Sequence, residues 1–490
     1  MIITIDKSRT DNLTQQIADE IIRLIKMGAI KEGEQLPSSR VLAQQLGVNR
    51  TTVVRAYEEL WAQGYTESSA GSYTRVRLPM HLSGEKSTGK GKPITWKHGL
   101  GGAANSFAPL VSSKHPNAID FQRLEPDSRL IDQKVFASCY RNAAACSEQS
   151  IFGYSHPQGY QPLRHDIAKH MQLHGINTTP QNVLVTNGAQ NSLQLIFQAY
   201  VTSSNTIAVE SPTYSMLIPL IRHYNPKVIE IPVLEDGMDI DFLADTLGKH
   251  SVKLVYTMPT FHNPTGTTMP QHKRERLLSL CQQHGLMLIE DSIEEELKYF
   301  GRVHLPIKSM DSGDNVIYLG SFSKILAPGL RTGWIIAHPD CISQLSGLKT
   351  VLDLSSNTLS QAMLHHFCSD GHYELHIRKM LKAYKKRMTL ALRLLKQELP
   401  KSIARWNEPL GGYLIWIEIN TELDEPSLLA LFQKHGVMVS GGNAFFFSQP
   451  GRSYIRISIS KSDTNEIEEG IRRMGSAVRE IEPKGSLTFK

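Results

Sequence analysis

Between residues 183 and 337 seven short apolar runs alternate with stretches of helical periodicity. The runs are 183–186, 206–210, 228–232, 253–258, 286–290, 315–320 and 333–337. Strand-length runs separated by amphipathic helices predict an α/β fold, a mostly parallel sheet with helices on both faces. Ligands of such sheets sit at the carboxyl ends of the strands. From about residue 370 a smaller α+β unit is expected, with strands over 412–419 and 453–460. A chain of 490 residues leaves room for further domains around that core.

The segments that follow these runs carry the chemistry. Ser321-Phe-Ser-Lys-Ile-Leu-Ala-Pro-Gly-Leu-Arg-Thr-Gly-Trp334 places one lysine, Lys324, between two hydroxyls, Ser321 and Ser323, and an arginine, Arg331. A lysine amine condenses with an aldehyde, while hydroxyls and a planar guanidinium suit a phosphate. A cofactor carrying both groups is pyridoxal 5'-phosphate. Gly188, Ala189 and Gln190 open an amphipathic helix after the first run, and a helix N-terminus favours anions. Tyr214 follows the second run and is placed to stack on a ring. Asn263, in Asn-Pro-Thr-Gly266, could donate to a phenolic oxygen. Asp291 ends a buried run, where a carboxylate could pair with a pyridine nitrogen and make the ring an electron sink. Singly, these are also a helix turn, a core tyrosine, a β-turn and a strand-end acid. Their order is what argues for a site.

From about residue 117 to 480 the chain resembles a fold-type I aminotransferase domain of the aspartate aminotransferase kind. The matching positions run from Tyr154-x-x-Pro-x-Gly-x-x-x-Leu-Arg164 through Asn187-Gly-Ala-Gln190, Pro212-x-Tyr214 and Asn263-Pro-x-Gly266. They continue with Asp291, Ser321-x-Ser-Lys324, Arg331, Gly411-Gly412 and Tyr454-Ile-Arg456. The resemblance implies that Lys324 forms the Schiff base with pyridoxal 5'-phosphate and Asp291 holds the pyridine nitrogen. It implies that Tyr214 stacks, Asn263 binds O3', and Gly188, Ala189, Gln190, Ser321, Ser323 and Arg331 hold the phosphate. Tyr154 corresponds to a tyrosine that reaches the phosphate across a dimer interface. Arg456 corresponds to the arginine that grips a substrate carboxylate. One departure matters: many relatives carry a tyrosine two or three residues after the aspartate. Here Ile293 and Glu294 stand there, and no tyrosine follows until Tyr299. Losing that donor argues against efficient turnover, not against cofactor binding.

The N-terminus adds a second function. Leu13, Ile17, Ile21, Leu24 and Ile25 are spaced for one helix face. A short helix over 41–47 closes on Gly47, and Asn49 can cap a third helix over 50–63, with Val53, Tyr57, Leu60 and Trp61 inward. Residues 65–77 read as a hairpin wing with Gly71 at its tip. Leu36-Pro-Ser-Ser-Arg-x-Leu-Ala43, then Leu46-Gly-Val-Asn-Arg-Thr-Thr-Val53, closely resembles the GntR winged helix-turn-helix. That resemblance implies that Arg40, Arg50, Thr51, Thr52 and Gly71 touch double-stranded operator DNA. A GntR-type reader ahead of an aminotransferase-like domain is the layout of the MocR-type regulators. The expected domains are a reader at 1–78, a linker at 79–116 and an effector domain at 117–490. The chain's formal charge is +6, and residues 81–116 alone carry a net of +4. Such a linker can trail along DNA phosphates or serve simply as a soluble tether.

Cys139, Cys146, Cys281, Cys341 and Cys368 form no C-x-x-C pair and match no histidine spacing, so no structural metal is expected from them. No run is long enough to span a bilayer and no signal peptide opens the chain, which predicts a cytoplasmic protein. The combined expectation is a homodimeric transcription regulator sensing an amino acid, an amine or a vitamin B6-related molecule through a cofactor-bearing domain. A working aminotransferase, or a sensor of the cofactor itself, are the alternatives.

Overall fold

The protein is described from a computed structural model. It describes residues 3–6, 12–67, 73–78, 118–145, 151 and 153–481. The chain forms two compact units, Met1–Gly99 and Leu100–Lys490.

In the first unit three helices, α1 (Leu13–Lys26), α2 (Ser39–Leu46) and α3 (Arg50–Ala62), pack around Ile17, Ile21, Ile25, Leu42, Val53, Ala56 and Leu60. Ser38 caps α2 through Val41 N–H, and Gly47 ends it in the left-handed region. Asn49 then caps α3 through Thr51 N–H, so the two helices meet in the expected tight turn. Strands β1 (Thr66–Glu67) and β2 (Arg75–Val76) pair antiparallel as the base of the wing. Its tip, including Gly71, lies outside the described residues, as does the segment 79–116. One inward assignment is corrected: Trp61 is 63% exposed, and Ala56 takes the buried position. Tyr57 is half-buried, its hydroxyl donating to Pro37 O at 2.7 Å, which anchors α3 to the segment before α2.

The second unit is built on an eight-stranded sheet. Its strands are β4 (Val183–Thr186), β5 (Thr206–Ser211), β6 (Lys227–Leu234), β7 (Gly237–Met238), β8 (Leu254–Thr257), β9 (Met287–Asp291), β10 (Val316–Ser321) and β11 (Gly333–Ile336). Their spatial order is β4-β11-β10-β9-β8-β5-β6-β7. The six strands β4, β5, β6, β8, β9 and β10 point the same way, while β11 and β7 run against their neighbours. Every residue of β4, β8, β10 and β11 is buried, as befits strands covered on both faces. Gly320 of β10 faces Trp334 of β11, and a Cβ there would lie 2.2 Å from the indole. The indole fills the space a side chain would need.

A smaller antiparallel sheet orders β12 (Ala404–Trp406), β13 (Leu414–Ile419), β16 (Ser453–Ser458) and β15 (Ser440–Gly441). The expected lower bound of this unit at about residue 370 needs correcting. Strand β3 (Ile119–Asp120) pairs parallel with β14 (Val437–Met438), so residues 118–130 join the small unit from the other end of the chain. Phe121 is fully buried there. Asp127 is locked to Arg387 of the helix His372–Glu398 at 2.5 Å, both side chains nearly inaccessible. Removing one partner of such a buried pair costs about 3–5 kcal/mol, because the other charge is left stranded. This segment carries two carbonyls into the site.

Candidate functional site

Five of the parallel strands end at one edge of the sheet, and each delivers a side chain or a turn. After β4 comes Gly188, capping the helix Ala189–Tyr200 at φ +96°. After β5 comes Tyr214, after β8 Asn263, on β9 Asp291, and after β10 Ser323 and Lys324. The antiparallel β11 begins at the same edge, so Arg331 stands just before it.

Lys324 Nζ donates to Leu124 O at 2.8 Å, a carbonyl supplied by the re-entrant segment. Burial lowers the pKa of this amine and the nearby Glu294 carboxylate opposes that shift. Asp291 is fully inside. Tyr256 donates its hydroxyl to Asp291 Oδ2 at 2.8 Å, and Oδ1 is buried without any protein partner. Burial pushes the carboxyl up to about 6, against the Tyr256 hydrogen bond. A cationic ring nitrogen opposite Oδ1 would satisfy the orphaned oxygen and hold the acid ionised. Tyr256 was not recognised from sequence, because a tyrosine inside a buried strand reads as core.

Groups that could hold an anion come from three sources. The first-turn N–H groups of Ala189 and Gln190 have no intrahelical acceptor. Arg331, itself in the left-handed region, donates to Asn187 O at 3.0 Å, which holds its guanidinium over the Gly188 turn. A Cβ on Gly188 would lie 2.8 Å from that guanidinium, so the positive φ and the close approach both select glycine. Ser321 Oγ accepts Ser323 N–H at 3.1 Å and is committed to the turn, whereas Ser323 Oγ is buried and unpartnered. Ser323 is therefore the freer hydroxyl of the two. Tyr214 belongs to the same neighbourhood: burial raises its phenol to about 12, with Asp291, Arg456 and Arg331 all close enough to act on it.

Arg456 crosses from the small sheet. Its guanidinium donates to Asn263 Oδ1 at 3.1 Å, to Gln122 O at 2.9 Å and to Ser440 Oγ at 3.2 Å. It lies over the Phe445 ring at 4.9 Å, and its Nε is buried without a partner. Burial lowers its pKa to about 10, still cationic at neutral pH. The bond to Asn263 Oδ1 fixes that amide and leaves Nδ2 to serve a ligand oxygen. Gln122, Ser440 and Phe445 were absent from the sequence reading, and no local pattern announces them.

One expected position stands apart from this cluster, and one carboxyl that was not expected joins it. Tyr154 is 82% exposed on the surface of its own chain. Glu294, at the place where a tyrosine was missed, is fully buried. Its Oε2 accepts Tyr413 N–H at 3.3 Å, and Oε1 has no partner. Burial raises it from 4.5 to about 7, opposed by Lys324. A carboxyl whose folded pKa is raised contributes stability below pH 4.5 that is lost as pH rises through about 7. Glu294→Gln should therefore flatten the pH dependence of denaturant stability of the cofactor-free protein across that window, by up to about 3 kcal/mol. Identical wild-type and variant profiles would show that the carboxyl is solvated.

On the first unit, Arg40, Arg50 and Thr51 are exposed, and Thr52 is half-buried, at the starts of α2 and α3. Arg50 Nε donates to Ser39 Oγ at 3.3 Å and Thr51 Oγ1 to Asn49 Oδ1 at 3.0 Å, which pre-orients the start of α3. Among the described residues no helix is long and apolar enough to cross a membrane.

Comparison with known proteins agrees with both halves. Residues 131–474 match the aminotransferase class I and II family, and residues 13–76 match the bacterial regulatory proteins of the gntR family. The uncharacterized HTH-type transcriptional regulator YdfD of Bacillus subtilis (strain 168) is 30% identical over 95% of this chain and 96% of its own. The probable rhizopine catabolism regulatory protein MocR of Rhizobium meliloti is 28% identical over 99% of this chain and 97% of its own. Among solved structures, LysN, the alpha-aminoadipate aminotransferase of Thermus thermophilus, aligns with a TM-score of 0.74 at 28% identity. That alignment covers 79% of this chain and 98% of LysN, which was solved with N-(5'-phosphopyridoxyl)-L-leucine. The chain belongs to the MocR-type GntR regulators, in which a GntR helix-turn-helix precedes a class I and II aminotransferase domain.

Proposed function

We propose that this DNA-binding regulator holds pyridoxal 5'-phosphate in its aminotransferase-like unit and senses an amino-acid-like effector there. The observation that carries the reading is the set of orphaned polar atoms at one sheet edge. Asp291 Oδ1, Ser323 Oγ and Arg456 Nε are all buried without protein partners. Together with the Gly188 turn, they match a phosphorylated pyridine and a carboxylate-bearing guest. When bound, the cofactor supplies an aldehyde and an electron-poor ring. This chain supplies Lys324 as the amine, Asp291 as counter-charge to the ring nitrogen, and Tyr214 as the stacking face. Asn263 Nδ2 serves O3', while Ala189, Gln190, Ser321, Ser323 and Arg331 hold the phosphate. Arg456 binds the effector's carboxylate.

The reader is residues 1–78, the tether 79–116 and the effector domain 117–490, acting as a cytoplasmic homodimer. Exposure of Tyr154 supports a role completed by a second copy. Arg40, Arg50, Thr51 and Thr52 reach operator DNA, the last three from the start of α3, where side chains of a recognition helix meet base edges and phosphates. A dimer then reads two half-sites. Effector binding alters the posture of the readers, and so promoter occupancy.

The test is a paired titration of amines and amino acids, reading the cofactor's visible absorption and operator affinity on the same protein. A ligand that shifts the absorption should also shift the affinity. Arg50→Ala should spare the first and weaken specific operator binding by about 1–3 kcal/mol if the arginine reads a base. If it holds only phosphate, binding should fall evenly across sequences and the salt slope should drop by about one. A ligand that changes absorption at every concentration tested without moving operator affinity would favour a catalyst over a sensor.

A further inference from the structure

Away from the cofactor edge, two imidazoles and a carboxylate converge on one point. His170 lies in the last turn of the helix Gln161–Leu173 and His174 caps its C-terminus, four residues on and therefore on the same face. Glu296 comes from the turn after β9. Its Oε1 is 2.5 Å from His170 Nε2 and 3.2 Å from His174 Nε2, and the three donor atoms all lie within 4.8 Å of one another. The side chains are 18%, 21% and 19% exposed, half-sheltered yet open to solvent.

A further carboxylate and an aromatic ring lie beside the three. The second nitrogen of His174, Nδ1, is 3.7 Å from Glu295 Oε1, and Tyr318 donates to Glu295 Oε2 at 2.6 Å. A histidine that binds a metal through one nitrogen typically gives its other N–H to a carboxylate, which fixes the ring. His170 is steadied by the edge of Tyr373, ring centroids 5.3 Å apart. Glu295 and Glu296 together supply two negative charges, enough to neutralise a divalent cation.

We propose that His170, His174 and Glu296 form a binding site for a first-row divalent transition-metal ion, with water as the fourth ligand. Donors at about 2.0–2.2 Å from a tetrahedral ion stand roughly 3.3 Å from one another. The His174–Glu296 separation already meets that figure. The His170–Glu296 contact opens by under an ångström when a cation sits between the two atoms. Imidazole with carboxylate suits Zn2+, Co2+ or Ni2+ better than Mg2+ or Ca2+. The ion would tie the helix Gln161–Leu173 to the turn that follows Asp291 and carries Glu294, clamping the backbone behind the cofactor edge. The cysteine spacing that argued against a metal does not bear on this cluster, since none of its ligands is a cysteine.

The test uses full-length protein stripped with a chelator and then dialysed against Zn2+, with bound metal counted by elemental analysis. One ion per chain is expected, with a thermal midpoint that rises with free Zn2+. His170→Gln with His174→Gln should abolish that equivalent, and Glu295→Gln should weaken it about tenfold to a hundredfold by freeing the His174 ring. Wild-type protein that retains no Zn2+ at sub-millimolar free concentration overturns the proposal, as does unchanged binding in the double variant. Should the double variant fail to fold, Co2+ loaded into wild-type protein decides the matter. Weak visible bands of nitrogen and oxygen ligation support the site, whereas an intense thiolate charge-transfer band places the ion on cysteine and overturns it.

Discussion

Lys324→Ala protein should be colourless, with no adduct that borohydride can fix, while wild-type protein is yellow and retains the cofactor on the Lys324 peptide after reduction. The physical grounds lie in the amine's setting. Burial lowers its pKa, so a neutral, nucleophilic amine is more accessible than on a surface lysine. Leu124 O accepts its proton at 2.8 Å and so holds Nζ in one place. The substitution removes the covalent link but none of the phosphate or ring contacts, so some reversible binding should persist without the visible band. Mass spectrometry of peptides from reduced wild-type protein settles the residue: a label on any other lysine, Lys349 included, would move the site. The effect is all-or-none at the level of the adduct.

Much of this site was legible because its parts are short-range. Each of Gly188, Tyr214, Asn263, Asp291 and Lys324 lies within a few residues of a strand end, and strand ends can be found from apolar runs. The sheet's order then brings five separate turns to one edge, which is a property of the α/β topology rather than of any one motif. What escaped was set by distant contacts. Leu124 reaches Lys324, and Gln122 reaches Arg456, only because β3 pairs with β14 across more than three hundred residues of chain. A two-residue strand has no periodicity to read. Tyr256 and Ser440 are ordinary strand residues until their partners are known. Glu294 was read as a missing tyrosine; its meaning as a buried carboxyl facing Lys324 and Arg456 emerges only from burial. Trp61 was misassigned for the opposite reason: helical spacing allows it on the edge of the inner face, but Ala56 and Leu60 already fill the core of that unit. The tip of the wing, with Gly71, lies outside the described residues.

Arg456→Ala should abolish the effector's spectral shift and the transcriptional response together. The guanidinium is nearly inaccessible, and its buried Nε lacks a partner, so a carboxylate arriving there gains a charge-assisted bond at little further desolvation cost. Truncating one member of a buried, hydrogen-bonded charge pair costs about 2–5 kcal/mol, or roughly thirty- to several-thousandfold in effector affinity. Arg456→Lys should fail nearly as badly, because an ammonium cannot reproduce the bonds to Asn263, Gln122 and Ser440 while also meeting a planar carboxylate. Cofactor retention should survive, somewhat weakened, since only Asn263 among the cofactor's contacts loses a partner. Keto-acid release measured on the same preparations separates sensor from enzyme. Wild-type turnover near the median enzyme rate of about 10 per second would favour a working aminotransferase. Slow or absent release, with an effector-dependent promoter response that disappears in Arg456→Ala, is the outcome expected of a sensor. A response that persists in the variant would mean that the effector carries no carboxylate, and would point to a molecule recognised by the ring and phosphate contacts alone.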